Sequence, residues 1–473
     1  MFEKLYYQPQ KSALIIIVLL AFFSTLYNIF LPLHGYEAYY WVWSHNLQSG
    51  YYDHPPMIAY MIALSNFISE SECGVRLVNV FSLSITALYI FKLTEKIVDA
   101  KAALNALLIF FSVILVHAGY IITTPDSPLL LFWTLTLYYA YTALIENQGK
   151  LHFFYLGLFL GLSMLSKYSA ILLAASLLIF VLIKRREIFF RLDAYITIVT
   201  AFIVILPMLY WNYEHEWISF LFQLAHGSSE VFKIDLEAAL SFFSGQFILF
   251  SPVFTWILLY YIFKEKLAFS NDKIFLLTLV TLVTLGFFLY KSLFKNMGLN
   301  YGAPAYVSGV IFVAYIIAKY NLQKALKIGL IVAITITLIG RVAMLFFLDK
   351  VQERMYASDT IVERFSSHIK EGDALYGDHL TIAAYITYYL ANHPKADVGI
   401  DDRYSQYDMW RNEREWHKDG LVLARNTKRD EQLKKYYKNV MLIDTHVVVP
   451  KKRIFYTYRV SEPYTIEELK ARE

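Results

Sequence analysis

Three acidic residues stand where long apolar stretches of the sequence end. Glu37 lies in His-Gly-Tyr-Glu-Ala-Tyr-Tyr-Trp, Asp53 in Tyr-Tyr-Asp-His-Pro-Pro, and Asp126 in Thr-Thr-Pro-Asp-Ser-Pro. A carboxylate at such a boundary is partly withdrawn from water, which suits it to take a proton from an attacking acceptor group. Each one alone also fits a loop charge or a helix cap, and Asp126, between two prolines, fits an N-cap. Taken as a set, the three favour catalysis.

Aromatic side chains are dense after the first apolar stretch. Such residues form belts at membrane interfaces, and their flat rings with a polar handle also bind the apolar faces of sugars. The two prolines at 55 and 56 stiffen the chain beside Asp53 and His54. We predict six polar or aromatic contacts to a sugar or an acceptor: Tyr39, Tyr40, Tyr52, Trp217, Gln223 and Tyr301.

Basic residues near the same boundaries are few. Lys167 interrupts an apolar stretch, Lys295 follows another, and Arg341 lies inside the last one. An ionisable group at membrane depth indicates function, although a long side chain also reaches the interface without one. Because a phosphate at the interface needs cations, we predict that Lys167, Lys295 and Arg341 bind a phosphate group.

Two histidines leave a metal site open. His215 and His226 could ligate a divalent ion (Mg, Mn or Zn) together with Asp53 or Glu214. Their spacing matches no recognised zinc motif. The sequence also lacks a glycine-rich phosphate loop, a nucleophile elbow and a dinucleotide fingerprint.

The composition indicates that membrane-spanning helices carry these residues. Of the 473 residues 57% are hydrophobic and 17% charged, whereas soluble proteins are about a quarter charged. The segment at 57–69 is too short to cross a bilayer and is expected to lie in the interface. The first span is too long for a signal-peptide core and is expected to be retained. We predict eleven spans, near residues 12–33, 75–93, 102–122, 127–145, 153–167, 168–183, 194–211, 240–262, 274–291, 303–318 and 327–348.

Charge divides the chain into two parts. Residues 349–473 contain 21 Lys+Arg and 21 Asp+Glu, and the preceding 348 residues hold the other 40 charges. This split excludes one uniform soluble domain, a disordered chain and a simple nucleic-acid binder. We predict a transmembrane domain at 1–348, with outer loops at 34–74 and 212–239, followed by a soluble α/β domain at 349–473. Strand-like runs at 440–443 and 445–450 and helix-like runs at 361–369 and 380–390 support the second domain.

The distribution of lysine and arginine predicts the orientation. One set of loops holds 16 of these cations, and the opposite set, before the tail, holds 6. Since the cation-rich loops of membrane proteins are cytoplasmic, we expect a cytoplasmic N-terminus and an outer, periplasmic tail. Cys73 is the single cysteine, which excludes an intramolecular disulfide. The sequence shows no internal repeat of the kind that builds transporters.

Six motifs occur in order along nearly the whole chain: Glu-Ala-Tyr-Tyr-Trp, Tyr-Tyr-Asp-His-Pro-Pro, Thr-Pro-Asp-Ser-Pro-Leu, Trp-Asn…Glu-Trp-Ile-Ser-Phe-Leu-Phe-Gln-Leu, Ala-Pro-Ala-Tyr and Asp-Arg-Tyr-Ser-Gln-Tyr-Asp. This order resembles the bacterial branch of the protein-mannosyltransferase and lipid A aminoarabinose-transferase families, within the GT-C superfamily of membrane glycosyltransferases. The resemblance implies a polyprenyl-phosphate-linked sugar donor, such as an undecaprenyl phosphate sugar, used on the periplasmic side with inversion at the anomeric carbon.

The resemblance also implies roles for single residues. Glu37, Asp53 and Asp126 match acidic positions of the family motifs. His54 matches a cationic position that is Lys in some relatives, which implies that His54 binds the donor phosphate. Many relatives carry an Asp-Glu pair in the first loop, where this chain has Tyr36-Glu37. Either Glu37 takes the role of base, or the alignment of this motif with that of the relatives is shifted by one residue, or the activity is altered.

The sequence therefore predicts a bacterial inner-membrane glycosyltransferase, mainly α-helical, with a C-terminal α/β domain. Expected partners are the lipid-linked donor, membrane lipids and an acceptor such as lipid A, another surface glycan or a protein. We expect a monomer and no nucleic-acid partner. Two alternatives stay open: a flippase or transporter of lipid-linked sugars, and a transferase that uses a diphosphate-linked oligosaccharide.

Overall fold

The chain folds into two compact units. The computed structural model describes residues 5–227, 234–400, 403–411, 417–425, 428–449 and 453–470. One unit comprises Met1–Ile29 with Gln48–Arg341, and we call it the membrane unit. The other comprises Phe30–Leu47 with Val342–Glu473, and we call it the C-terminal unit. Residues 30–47, which include Glu37, thus group with the C-terminal residues.

The membrane unit consists of long apolar helices. A helix of about 20 mostly apolar residues satisfies its own backbone hydrogen bonds across a bilayer. Within the described residues, eight helices meet this requirement: Pro9–Asn28, Glu72–Ile97, Asp126–Ile145, Gly149–Ser166, Leu192–Glu214, Asp272–Ser292, Leu299–Lys319 and Gln323–Phe346.

Two predicted spans are broken rather than straight. The span predicted at 102–122 is the pair Ala100–Ser112 and Ile114–Ile121, bent by 63° at an extended residue, Val113. The span predicted at 240–262 is the pair Leu236–Leu249 and Pro252–Lys264, bent by 108°. Proline disfavours helical backbone at the residue before it, and Ser251 has φ of 78°.

The predicted count of eleven spans is not confirmed. Each bent pair taken as one span raises the number among the described residues to ten. The span predicted at 168–183 coincides with a shorter apolar helix, Tyr168–Lys184, which begins as a 3₁₀ turn at Tyr168–Ala170. Other short elements of this unit are Met57–Asn66, Arg186–Phe190, Ile218–Gly227, Lys266–Ala268 and Leu299–Gly302.

The C-terminal unit is a small α/β domain. Its strands are β1 (Ala374–Gly377), β2 (Ala396–Val398), β3 (Gly420–Arg425), β4 (Tyr437–Val448) and β5 (Arg453–Pro463). The strand order is β2-β1-β3-β5-β4, with β1 parallel to β2 and β3, and with β5 antiparallel to β3 and β4. Its helices are Gly35–Ser44, Leu348–Val351, Ser358–Ser366, Leu380–Tyr389, Gln406–Trp410, Asp430–Leu433 and Ile466–Lys470.

The predicted fold class is confirmed. The chain is mainly helical, and a small mixed sheet lies near its C-terminus. The run predicted at 440–443 and the first four residues of the run predicted at 445–450 belong to one strand, β4, with an irregularity between Leu442 and Asp444. Residue 450 lies outside the described residues. Aromatic and aliphatic side chains such as Val422, Tyr437 and Tyr458 form the core beside the sheet.

Enclosure differs among the membrane helices. In its apolar stretch, helix Leu299–Lys319 has 83% of its residues buried within the protein, and helix Asp126–Ile145 has 78%. The same share is 11% in helix Leu192–Glu214. The two enclosed helices therefore form the centre of the unit, and the other lies at its periphery. The site described below begins at the first turns of the two enclosed helices.

Two glycines allow the helix that ends beside Lys167 to approach its neighbour. A Cβ atom on Gly157 would lie 2.4 Å from the carbonyl oxygen of Thr197, and one on Gly161 would lie 2.7 Å from the Cβ of Val204. Small residues spaced by four let membrane helices pack closely. Helices Gly149–Ser166 and Leu192–Glu214 are held together in this way.

Replacing Gly157 with valine should destabilise the membrane unit by about 1–3 kcal/mol, because the side chain meets backbone that cannot move away cheaply. The measurement is the thermal midpoint of the detergent-purified protein. Gly286→Val is the matched control, because a Cβ at this helical glycine has no neighbour within 4 Å. Equal midpoints for the two variants would contradict the close packing.

Candidate functional site

Asp126 opens one of the two central helices. It is the first residue of Asp126–Ala140, and Pro125 occupies the N-cap position. The alternative of an N-cap at Asp126 is therefore not what the structure shows. Its carboxylate instead reaches side chains on other elements, and only 14% of its side chain is exposed.

Lys167 forms an ion pair with Asp126. Its Nζ donates to Oδ1 of Asp126 at 2.7 Å, and 8% of the lysine side chain is exposed. Helix Gly149–Ser166 ends at this lysine, whose backbone is extended (φ −158°, ψ 139°) before the chain turns into Tyr168–Ala170. The break in the helix directs the ammonium group towards Asp126. Charge-assisted bonds of this length are the strong class of hydrogen bond.

Asn300 occupies the other oxygen of the same carboxylate. Its Nδ2 donates to Oδ2 of Asp126 at 2.7 Å. The next residue, Tyr301, places its ring 4.6 Å from Nζ of Lys167, which is a cation–π contact. Sequence reasoning misses Asn300, because a single amide 174 residues from its partner carries no spacing signal. The neighbouring Tyr301, which was predicted, is the only hint.

A cavity of about 260 Å³ lies beside this cluster. Three lysines line it: Lys167, Lys291 and Lys295. The predicted contacts Gln223 and Tyr301 line it as well. The structure thus brings together residues predicted separately as phosphate-binding and sugar-binding, and adds Lys291, which is not among the predicted site residues.

Asp53 and its neighbours lie on the adjacent loop of the membrane unit. Asp53 is 4% exposed, and its backbone oxygen accepts a 2.6 Å hydrogen bond from Nε2 of Gln223. Tyr52 packs against Phe222 with ring centroids 4.6 Å apart. His54 is half-buried. Because Gln223 also lines the cavity, this loop is connected to the cavity wall that carries the three lysines.

Arg341 is not among the cavity-lining residues. It donates from Nη2 to Oγ of Ser24 at 3.2 Å and lies 5.0 Å from the ring centroid of Tyr27. It contacts the first span from the last one. The structure therefore does not bring Arg341 to the lysines.

The structure describes the predicted metal ligands only in part. His215 stacks on Trp211 and contacts the backbone oxygen of that residue at 2.7 Å. The side chain of His226 lies outside the described part of the chain. Among the described residues, no group of three or more His, Cys, Asp or Glu could hold a metal ion. Trp217 is 43% exposed and packs against Phe220.

Glu37 lies in the C-terminal unit, at the third position of helix Gly35–Ser44. Its Oε2 accepts from the backbone N–H of His34 at 2.8 Å, in a capping box with the imidazole of His34. The side chain is fully buried. The hydrogen bond that Glu37 makes with His34 is therefore that of a helix cap, the alternative given above. The catalytic role of Glu37 stays a prediction.

Tyr39 and Tyr40, predicted to bind a sugar, are buried. Tyr39 has no exposed surface and stacks on Tyr407 at 5.7 Å, and its hydroxyl accepts from the backbone N–H of Gln406 at 2.9 Å. Tyr40 is 4% exposed and packs against Trp43. Their rings are covered by protein, so in this structure they offer no face to a sugar.

The phenol of Tyr385 ties the loop before Gly35–Ser44 to the rest of the C-terminal unit. It donates to the backbone oxygens of Leu33 at 3.1 Å and Arg354 at 2.7 Å. Burial raises the pKa of Tyr385 well above its usual range, and the nearby charges of Tyr389 and Glu37 act in the same direction. The phenol therefore stays protonated and acts here as a hydrogen-bond donor.

Sequence comparisons identify relatives of one class. Residues 53–211 match the family of dolichyl-phosphate-mannose-protein mannosyltransferases. The lipid A galacturonosyltransferase RgtD of Rhizobium johnstonii is 26% identical over 315 residues, which are 66% of this chain and 66% of that protein. The match thus spans about two thirds of that relative.

Solved structures share the fold. ArnT from Cupriavidus metallidurans has TM-scores of 0.66 in the apo state and 0.67 bound to undecaprenyl phosphate, each at 12% identity over 94% of this chain and 97% of that one. An Archaeoglobus fulgidus oligosaccharyltransferase tethered with an acceptor peptide has a TM-score of 0.51 at 13% identity, over 94% of this chain and 74% of that one. These structures confirm the predicted fold. With the sequence matches, which are to glycosyltransferases, they confirm the predicted resemblance to GT-C membrane glycosyltransferases and agree with the predicted enzyme class.

The ion pair should be strongly coupled. Lys167→Met leaves the Asp126 carboxylate without its cation, which should cost about 3–5 kcal/mol, because a buried charge then stays unpaired. Combining Lys167→Met with Asp126→Asn should cost less than the two single changes summed. Thermal midpoints of the four proteins in detergent measure this.

Lys96→Met is the control for that cycle. The Lys96–Glu146 pair, at 3.0 Å, has side chains 32% and 24% exposed. Losing such a pair should cost about 1 kcal/mol or less. Additive effects at Lys167 and Asp126 would mean that the pair contributes no coupling.

Proposed function

We propose that this chain, a membrane glycosyltransferase with the GT-C fold, transfers a sugar from a polyprenyl phosphate to an acceptor of the bacterial envelope. One observation carries the proposal: Lys167, Lys291 and Lys295 line a single cavity. When the bond between sugar and phosphate breaks, the phosphate gains negative charge. Cations already fixed beside it stabilise that charge without rearrangement.

The relatives support a lipid-linked donor. One solved structure with this fold contains undecaprenyl phosphate, and a sequence relative is named a lipid A galacturonosyltransferase. We infer that the donor is an undecaprenyl phosphate sugar and that the acceptor is lipid A, another surface glycan or a protein. A diphosphate-linked donor is the second candidate, because three cations can also balance a more highly charged group.

The step is a single displacement that inverts the anomeric carbon. An acceptor hydroxyl attacks that carbon, its proton passes to a carboxylate, and the electron pair of the breaking C–O bond leaves with the phosphate. Both oxygens of Asp126 are engaged, by Lys167 and by Asn300. We therefore assign Asp126 to hold Lys167, and Glu37 or Asp53 to accept the proton.

We place the active side in the periplasm. The 16 cations on one set of loops against 6 on the other support a cytoplasmic N-terminus and a periplasmic C-terminal unit in the inner membrane. The proposed enzyme acts as a monomer, since the candidate phosphate-binding cations and the candidate carboxylates lie in one chain.

Removing one lysine should slow donor cleavage. Lys295→Met should lower the release of undecaprenyl phosphate by about ten- to a hundredfold, because a hydrogen bond between charged groups is lost in the transition state. The assay supplies lipid A as the acceptor and follows undecaprenyl phosphate released by the purified protein from undecaprenyl phosphate sugars, among them those of galacturonic acid, aminoarabinose and mannose. Lys324→Met is the control. It changes an exposed lysine at another position of the chain and should leave turnover unchanged. Release from diphosphate-linked donors alone would favour the second candidate.

Glu37→Gln and Asp53→Asn test the assignment of the base. The variant that removes the base should lower kcat by about a hundredfold or more, since general bases contribute at least that much, while the other should retain substantial turnover. Thermal midpoints near that of the parent protein show that folding is intact. Full activity in both variants would remove both residues from the mechanism.

A further inference from the structure

We propose that Asn300 is a positioning residue, which fixes the Asp126 carboxylate and thereby holds the Lys167 ammonium at the cavity wall. The inference rests on the proposed function, because it assigns that cavity to the donor phosphate. Asn300 is not among the residues that line the cavity. It acts through Asp126 alone.

The geometry at Asp126 is that of a carboxylate held on both sides. Lys167 donates to Oδ1 and Asn300 to Oδ2, each at 2.7 Å. Thr124 adds a longer contact to Oδ2, at 3.4 Å. With only the lysine bond, the carboxylate could rotate and the flexible lysine could follow it. With the second short bond in place, the direction of the ion pair is set.

The turn that carries Asn300 is itself held firmly. Asn300 lies in the 3₁₀ turn Leu299–Gly302, which leads directly into the most enclosed helix. Gln246 donates from Nε2 to the backbone oxygen of Leu299 at 2.9 Å and also binds the hydroxyl of Tyr306. A Cβ on Gly302 would lie 2.0 Å from Oε1 of Gln246, so a side chain there would displace the Gln246 amide. An amide presented from such a turn is a fixed donor.

A neutral amide is the appropriate group at this place. It donates a hydrogen bond and leaves the charge of the Lys167–Asp126 pair unchanged. A carboxylate in its place would put two acidic groups about 3 Å apart, and these cannot both ionise easily. Asn300→Asp therefore adds a second carboxyl group, and with it a new dependence of the site on protonation.

The test measures binding of undecaprenyl phosphate to the purified full-length protein. Asn300→Ala should bind about tenfold more weakly at every pH, because the ion pair loses its second anchor. Asn300→Asp should bind weakly near pH 8.5 and recover towards the parent near pH 5.5, since a proton shared by the two carboxyls restores the missing bond and removes the extra charge. Affinities are compared with the parent protein at each pH, which cancels the titration of the ligand itself.

Asn439→Ala, at an exposed position on β4, is the matched control and should bind like the parent protein. A structural role alone would lower the thermal midpoint and weaken binding equally at all pH values in both Asn300 variants, which would overturn the inference. Parent-like binding by both variants would overturn it while leaving the proposed function intact. A parent protein that binds no undecaprenyl phosphate, at any pH, would overturn the donor assignment and this inference together.

Discussion

Two opposite charges placed among apolar helices constrain the whole membrane unit. Either charge alone would lose hydration at a cost of several kcal/mol, and the loss is offset only when the partner is close and well oriented. The 2.7 Å contact between Lys167 and Asp126 meets that condition. It ties the end of one span to the beginning of another, so the positions of those two helix termini are not independent. The breaks in the helices at both residues follow from this requirement.

Residues on neighbouring elements hold this ion pair in place. Asn300 comes from the first turn before the most enclosed helix, and Gln246 holds that turn from a neighbouring bent segment. The close approach at Gly157 fixes the helix whose end carries Lys167. A rigid scaffold of this kind lets the lysine stay in place when a phosphate binds, so little conformational freedom is lost at that step.

Individual site residues could be predicted from the sequence, whereas their pairing could not. Asp126 and Lys167 stand out because charges are rare in apolar sequence, but 41 residues separate them and no periodicity links them. The break at Pro252 has a visible cause in proline chemistry, while the break at Val113 has none that residue type would reveal. A buried aromatic residue and an aromatic residue that binds a sugar look alike in sequence, and Tyr39 was predicted to be the second kind. Only its stacking on Tyr407 identifies it as the first kind.

The structure also divides a set of carboxylates that the sequence treats as equivalent. Proton transfer to Asp126 would require breaking a short bond to Lys167 or Asn300, and the first of these would leave a cation unpaired. Glu37 accepts a hydrogen bond from the backbone N–H of His34, at the start of its own helix. The same residue type therefore has two settings in one protein: the Asp126 carboxylate is held by a cation, and the Glu37 carboxylate caps the start of a helix.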